Sequence, residues 1–225
     1  MSTVKVVDLI SRAHTILLDT TAVRWSALEL QNWLNDGYRE VVTLHPDANA
    51  QTATFTCSAG YRQDISSAYS RAYRLLEVIC NKAPTSRKRP VQLVSRKSMD
   101  TMRPGWYAET PSVNIEKYVY DTRVPKEFLV YPPATTAAQL EIRYTTVPEP
   151  HALAEVQLMN SATAEVIRLD DVYGNPLLDY ILYRAYTKDA EQPNNAARAV
   201  AHYQAMVTSL GGKVQSDEAV EPGTA

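Results

Sequence analysis

Apolar side chains return every three or four positions through residues 4–18, where Val6, Leu9, Ile10, Ala13, Ile16 and Leu17 form one stripe. Lys5, Asp8, Arg12 and His14 fall outside it, and the spacing predicts an amphipathic helix. After the link "DTTAVR" a second helical stretch places Ala27, Leu30, Leu34, Tyr38 and Val41 on one face. Ser26 and Glu29 have capping-box spacing, in which the hydroxyl accepts from an early backbone N–H and the carboxylate reaches back to the cap. Trp25 and Leu30 have the spacing of a hydrophobic staple, and Pro46 stops the helix after Leu44. Two helices with so short a link predict an antiparallel hairpin.

The period then changes. "QTATFTCSAG", "RLLEVICNK", "VQLVS", "IEKYVYD", "EFLVYPP" and "AAQLEIRYTTVP" are short runs rich in β-branched and aromatic residues, bounded by proline, glycine, serine or charge. Alternation is cleanest in "QLEIRY", with Leu140, Ile142 and Tyr144 facing one way and Glu141 and Arg143 the other. The expectation is one meandering antiparallel sheet of about six strands with a wet face. "RKSMDTM" suits a short helix and "RPGWYAETP" a turn-rich connection.

Helical periodicity returns after a loop over residues 149–168. Asp170 and Asp171 precede "VYGNPLLDYILYRAYTKDAE" as carboxylates suited to a helix start, and Pro176 fits a first turn. A last helix spans "NAARAVAHYQAMVTSLGG", with Gly211 and Gly212 expected to end it. The fold class that follows is α+β. It comprises an N-terminal helical hairpin (1–48), an antiparallel β region (49–148), a C-terminal helix pair packing with the hairpin into a helical bundle (149–212), and a flexible arm (213–225).

The helix at Leu177–Glu191 is apolar over more than one face. Leu178, Ile181, Leu182 and Ala185 form one row, and Tyr180, Tyr183 and Tyr186 a second beside it. A wide arc serves either a core on both sides or a core on one side and a neighbouring subunit on the other. Tyrosine suits a subunit contact, because its ring contributes area while its hydroxyl tolerates a wet rim. The tyrosine row is therefore the candidate subunit interface.

Composition adds bounds. With 225 residues, 45% hydrophobic, the chain can build a sizeable core, and a formal charge of −2 provides no overall basic excess for nucleic acid or anionic lipid. No apolar run approaches the roughly 20 residues of a spanning helix, so no membrane partner is expected and the chain is expected to be made in the cytoplasm. Cys57 and Cys80 lie in strand-like runs, where buried free thiols are expected. One local charge cluster stands out: Arg87, Lys88, Arg89, Arg96 and Lys97. It is either a solvated hairpin tip with charges guarding a sheet edge or a contact to DNA phosphates without base specificity.

The search for catalytic chemistry finds little. His14, His45, His151 and His202 are dispersed and suit surface or cap positions, and the adjacent carboxylates at Asp170 and Asp171 suit a cap better than a metal. Phosphate-loop, dinucleotide-binding and nucleophile-elbow motifs are missing from the sequence, and strand cysteines lack the setting that lowers a thiol pKa. The expectation is a protein that is not an enzyme and takes no cofactor and no metal.

With these segments in place, the chain resembles the head-to-tail adaptor (connector) proteins of tailed bacteriophages, the group that includes the tail tubular A proteins of short-tailed phages. The resemblance rests on "RWSALELQNWLNDGYREVVTLHPDA", "YRLLEVICNK", "RPGWYAET", "FLVYPPA", "LEIRYTTVP" and "LDDVYGNPLLDYILYRAYTKDAE", in matching order over residues 1–212. It departs from the family pattern at "DISSAYSRAY". The resemblance implies a virion structural protein at the neck, forming a homo-oligomeric ring, usually of about twelve subunits, beneath the portal protein. Such a ring continues the DNA channel without reading sequence and is the platform for tail proteins, nozzle or tail tube. It also implies a portal-docking arm, which by position would contain Lys213, Val214, Val220 and Ala225. A nucleic-acid-binding module using the basic cluster is the alternative.

Overall fold

The computed structural model describes residues 2–82 and 88–220, with residues 212–220 given as backbone alone. The chain order is α1 (Val6–Ile16), α2 (Ala27–Leu44), β1 (Ala50–Thr56), β2 (Gly60–Asp64), β3 (Ala72–Asn81), β4 (Gln92–Leu93), α3 (Arg96–Met102), β5 (Lys117–Tyr120), β6 (Glu127–Ala134), β7 (Gln139–Thr146), α4 (Glu155–Leu158), α5 (Gly174–Lys188) and α6 (Asn195–Val220). The architecture is α+β. One compact unit is built from the two ends of the chain, up to Ala48 and from Pro148, and the other from Asn49–Val147.

In the helical unit, the stripes of α1 and α2 meet α5 and α6 in one apolar core. Leu9, Ile10, Leu30, Leu34, Tyr38, Leu177, Ile181 and Met206 lie at its centre. The start of α2 departs from the capping box in one respect. Ser26 Oγ accepts from Glu29 N at 3.2 Å, but the Glu29 carboxylate pairs with Lys188 Nζ at 2.7 Å instead of returning to the cap. The remaining donors at the helix end are met by Glu155, which accepts from Ala27 N at 2.9 Å and Leu28 N at 3.4 Å. A remote carboxylate thus fills a local role, because the exposed N–H groups and the positive helix end attract any carboxylate within reach.

In α6, Gly211 and Gly212 do not end the helix, which continues to Val220. A glycine stops a helix when it turns into the left-handed region, and among the described residues only Gly60 and Gly105 have positive φ of all the glycines. Of the expected flexible arm, residues 213–220 therefore carry helical backbone, and 221–225 lie outside the described residues.

The β unit holds two sheets in place of the single expected meander. β1–β7–β3 is antiparallel, whereas β2–β6–β5–β4 ends in a parallel β4–β5 pair. β2 escaped the periodicity because it is polar. Its one buried side chain is Gln63, whose amide accepts from Ser58 N at 2.7 Å and donates to the Ser58 and Gly60 carbonyls. The alternation in β7 holds, with Leu140 opposite Phe55 and Ile142 opposite Ala53 and Val78. Phe55, Leu75 and Leu140 from one sheet share a core with Tyr118, Phe128 and Val130 from the other. Both cysteines are free. Burial pushes the Cys57 thiol up to about 12, while Cys80 is only half-buried and its thiol faces Glu141.

Candidate functional site

α5 is the element whose sequence asked for a second partner, and the structure supplies one from within the chain. Tyr180 is buried against α2 at Gly37. Tyr186 is buried on the other side, its ring stacked on His202 at 5.7 Å with an interplanar angle of 12°, and the Arg198 guanidinium lies 5.7 Å from the ring centre. His202 Nδ1 stands 2.9 Å from Asp179 Oδ1, which fixes the imidazole over the tyrosine. Tyr183 is half-buried, edge-on to Tyr180 at 5.7 Å and 5.0 Å from Tyr203. Tyr203 in turn donates to Glu40 Oε1 at 2.8 Å. Of the row expected as a subunit interface, Tyr180 and Tyr186 are thus occupied within the chain itself. α5 lies between α2 and α6, so both of its apolar rows are core, and only Tyr183 reaches the rim.

Beside this rim, α6 presents Val200 and Val207, 56% and 39% exposed. With Tyr203 they keep i, i+3, i+7 spacing, so the apolar surface of α6 runs outward past the part that α5 and α2 cover. Single exposed valines are unremarkable, but two flanking a half-buried tyrosine form a stripe.

The histidines are more deeply embedded than expected. His14 is buried, its Nε2 2.9 Å from Trp25 O, and His45 is buried with its ring 6.1 Å from that of Tyr173. His151 shows the most developed arrangement. Its ring lies 2.8 Å from Tyr38 Oη through Nε2 and 2.5 Å from Glu165 Oε1 through Nδ1. Arg168 N donates to Tyr38 Oη at 3.1 Å, and the Arg168 guanidinium donates to Glu165 Oε1 at 2.9 Å. One donor order satisfies all of them: Arg168 N–H to Tyr38, Tyr38 O–H to Nε2, and Nδ1–H to Glu165. Burial holds the His151 imidazole below its ordinary pKa and pushes the Tyr38 phenol up. A histidine between a tyrosine and a carboxylate has the composition of a proton relay, but the His151 side chain is 0% exposed and Tyr38 1% exposed. Both groups are closed to solvent in the folded chain, and their bonds tie the return segment to α2.

That attachment involves two residues the sequence reading did not single out. Gln31 and Asn35, one turn apart on α2, grip the extended backbone of the return segment. Asn35 donates to His151 O at 3.0 Å and accepts from His151 N at 2.8 Å. Gln31 does the same at Leu153, at 3.3 Å and 2.9 Å. The signal was present as an amide pair at i, i+4 followed by Tyr38 at i+7, a polar row along a helix that otherwise buries apolar groups.

Asp171 also acts at a distance. It does not cap α5 but accepts from Ser2 Oγ at 2.7 Å, Thr3 N at 2.7 Å, Thr3 Oγ1 at 2.5 Å and Val4 N at 3.1 Å. These donors, the Thr3 hydroxyl foremost, hold its carboxyl well below the usual range. Backbone bonds from Val6 N to Glu165 O and from Ile167 N to Val4 O, both 2.9 Å, continue the attachment.

Of the basic cluster, Arg87 lies outside the described residues, while Lys88, Arg89, Arg96 and Lys97 are exposed. Arg96 and Lys97 open α3, which Ser95 caps through Ser98 N at 3.1 Å. Asp100, one turn on, stands 3.6 Å from Arg96 Nε and accepts from Trp106 Nε1 at 2.9 Å and Tyr107 Oη at 3.0 Å. A groove of about 440 Å³ nearby is lined by Arg62, Arg96 and Arg123 together with Asp121 and Glu127. Arg123 pairs with Asp121 at 2.7 Å and Arg62 with Glu127 at 3.5 Å, so two of the three arginines are paired within the groove. Lys213, Val214 and Val220 of the proposed arm continue the α6 backbone, and Ala225 lies outside the described residues.

Among the described residues no helix is long and apolar enough to cross a membrane, and no three His, Cys, Asp or Glu side chains gather as a metal site would need. No curated protein matches the chain. The family model described as SU10 adaptor protein matches residues 4–225, essentially the whole length, and the chain therefore belongs to the SU10 adaptor family, a phage head-to-tail adaptor.

Proposed function

We propose that this chain is a structural protein of the virion neck that assembles with copies of itself into a ring beneath the portal. In this reading one side of the ring engages the portal protein and the other carries tail proteins, nozzle or tail tube, in the manner of the tail tubular A group. About twelve copies match the ring size that the resemblance implies. DNA passes through the ring without sequence-specific contact, and the protein is not an enzyme. The observation that carries the proposal is the family match across residues 4–225. It agrees with a chain whose histidines are used to hold its own segments together.

A ring closes through heterologous contacts, in which two different surfaces of each subunit meet. We place one of them on the outer stripe of α6, Val200 and Val207 beside Tyr183, since the rest of the tyrosine row is occupied within the subunit. The exposed Lys88, Arg89 and Lys97, multiplied around a ring, would provide weak phosphate contacts along the channel. The arm from Lys213 to Ala225 is proposed as the portal-docking segment. Mixing the purified chain with its portal and measuring mass tests the proposal. A complex with several copies per portal supports it, and a chain that stays monomeric and unbound refutes it.

A further inference from the structure

The segment at residues 148–168, extended up to Ala154 and helical through α4, forms a strap across α2, and polar bonds contribute much of its attachment. Among its described side chains only Leu153, Leu158 and Ile167 add large buried apolar groups, beside His151. The rest of the grip on α2 is the pair of two-way amide bonds from Gln31 and Asn35, the Glu155 carboxylate on the first N–H groups of the helix, and the closed chain through Tyr38, His151, Glu165 and Arg168, while backbone bonds to Val4 and Val6 tie the far end of the strap to the N-terminal segment. A segment held by few apolar contacts belongs to the low-stability end of a fold and can open by itself.

At the centre of this grip the proton positions are fully committed. Nδ1 faces the Glu165 carboxylate and so carries the ring proton, which leaves Nε2 to accept the Tyr38 proton while Tyr38 Oη receives the Arg168 N–H. A second proton on the ring would turn Nε2 from acceptor to donor, leaving the Tyr38 proton without an acceptor at a site closed to water. We propose that His151 makes the 148–168 strap an acid-sensitive latch, which releases from α2 when the imidazole takes up a proton while the α5–α6 pairing stays intact.

The groups facing the imidazole are Tyr38 from α2 and, from the strap itself, Glu165 and Arg168. Glu165 favours the imidazolium, whereas Arg168 and burial oppose it, and burial is the largest of these influences. The closed strap therefore holds the ring below the ordinary value of 6.5. The open strap binds the proton more readily, so the closed state has its full advantage above about pH 6.5 and loses it as the pH falls. With up to one proton taken up per opening, the opening equilibrium rises below that point, approaching at most about tenfold per pH unit.

Amide hydrogen exchange of the full chain at pH 7.5, 6.5 and 5.5, corrected for intrinsic exchange rates, tests the latch. Protection at the His151 and Leu153 amides, which α2 holds through Asn35 and Gln31, should fall by up to about fivefold between pH 6.5 and 5.5, while the mid-α5 amides of Ile181 and Leu182 keep theirs. The variant His151→Gln, which cannot titrate, should show the same strap protection at both pH values, whatever its absolute level. Unchanged strap protection in the wild-type chain at pH 5.5 would overturn the proposal. So would a simultaneous loss in α5, or the same pH dependence in His151→Gln.

Discussion

Gly37 of α2 faces the ring of Tyr180 of α5 so closely that a Cβ built on the glycine would lie 3.1 Å from Tyr180 Cδ1 and 3.3 Å from Leu177 Cδ2. Both neighbours are buried and cannot swing into solvent. Alanine at a mid-helix glycine ordinarily adds about 1 kcal/mol of stability, but overpacking a filled core costs about 1–3 kcal/mol. Gly37→Ala should therefore lower stability by roughly 1 kcal/mol net, as a reduced urea midpoint with unchanged slope. Gly211→Ala in α6, where nothing lies within 4 Å of the added carbon, should instead raise stability by up to about 1 kcal/mol. A stabilised Gly37→Ala would mean that α2 and α5 are not packed as described.

Two rows of one helix can be told apart by what truncation costs. Tyr180→Ala and Tyr186→Ala each remove a buried ring and should destabilise the chain by about 3 kcal/mol. Tyr183→Ala removes a half-buried ring in contact with Tyr180 and Tyr203 and should cost closer to about 1 kcal/mol. Equal and small losses at all three positions, measured by denaturant unfolding, would restore the row to the surface.

These positions show what periodicity could and could not reveal. The stripes of α1 and α2 and the alternation of Leu140, Ile142 and Tyr144 were legible because burial on one face imposes a period. The breadth of the α5 apolar arc was legible too, but not its partner, since an arc covered by α2 and α6 and an arc covered by another subunit require the same residues. β2 was hidden because Gln63 buries an amide that bonds to its own loop, and the two-sheet arrangement because pairing among short runs is a long-range choice. Glu155 at the start of α2 and Asp171 at the N-terminal segment act across more than a hundred residues, and local capping rules assign carboxylates only to their own neighbourhood. The adaptor family itself was legible from the order of several segments, none decisive alone.

The outer stripe of α6 can be tested without disturbing the core. Val200→Asp combined with Val207→Asp changes exposed positions and should alter stability by no more than about 0.5 kcal/mol each. Placed at a subunit contact, two buried unpaired carboxylates should abolish self-assembly on the portal while the monomer keeps its wild-type unfolding midpoint. Normal ring formation by this double variant would move the contact elsewhere.

Asp171 ties Ser2, Thr3 and Val4 to the start of α5. Asp171→Ala should make the Thr3 and Val4 amides exchange at nearly the rate of a free peptide and loosen the first turn of α1. In the wild-type chain the carboxyl has a lowered pKa, so the folded state binds this proton less readily than the unfolded state. Its contribution is complete above the ordinary carboxylate value of 3.8 and is lost as the pH falls below it. The acid unfolding curve of Asp171→Ala should accordingly be flatter below about pH 4 than that of the wild type. Identical curves would remove Asp171 from the account.

Electron cryomicroscopy of the phage neck, or of the portal reconstituted with this chain, would show whether the chain forms the proposed ring. The expected density is a closed ring of this fold in contact with the portal, with an open channel on its axis and the outer stripe of α6 in contact with the neighbouring copy. Density in which the chain is missing from the neck, or is present as isolated subunits that share no contact with one another, would contradict the proposal.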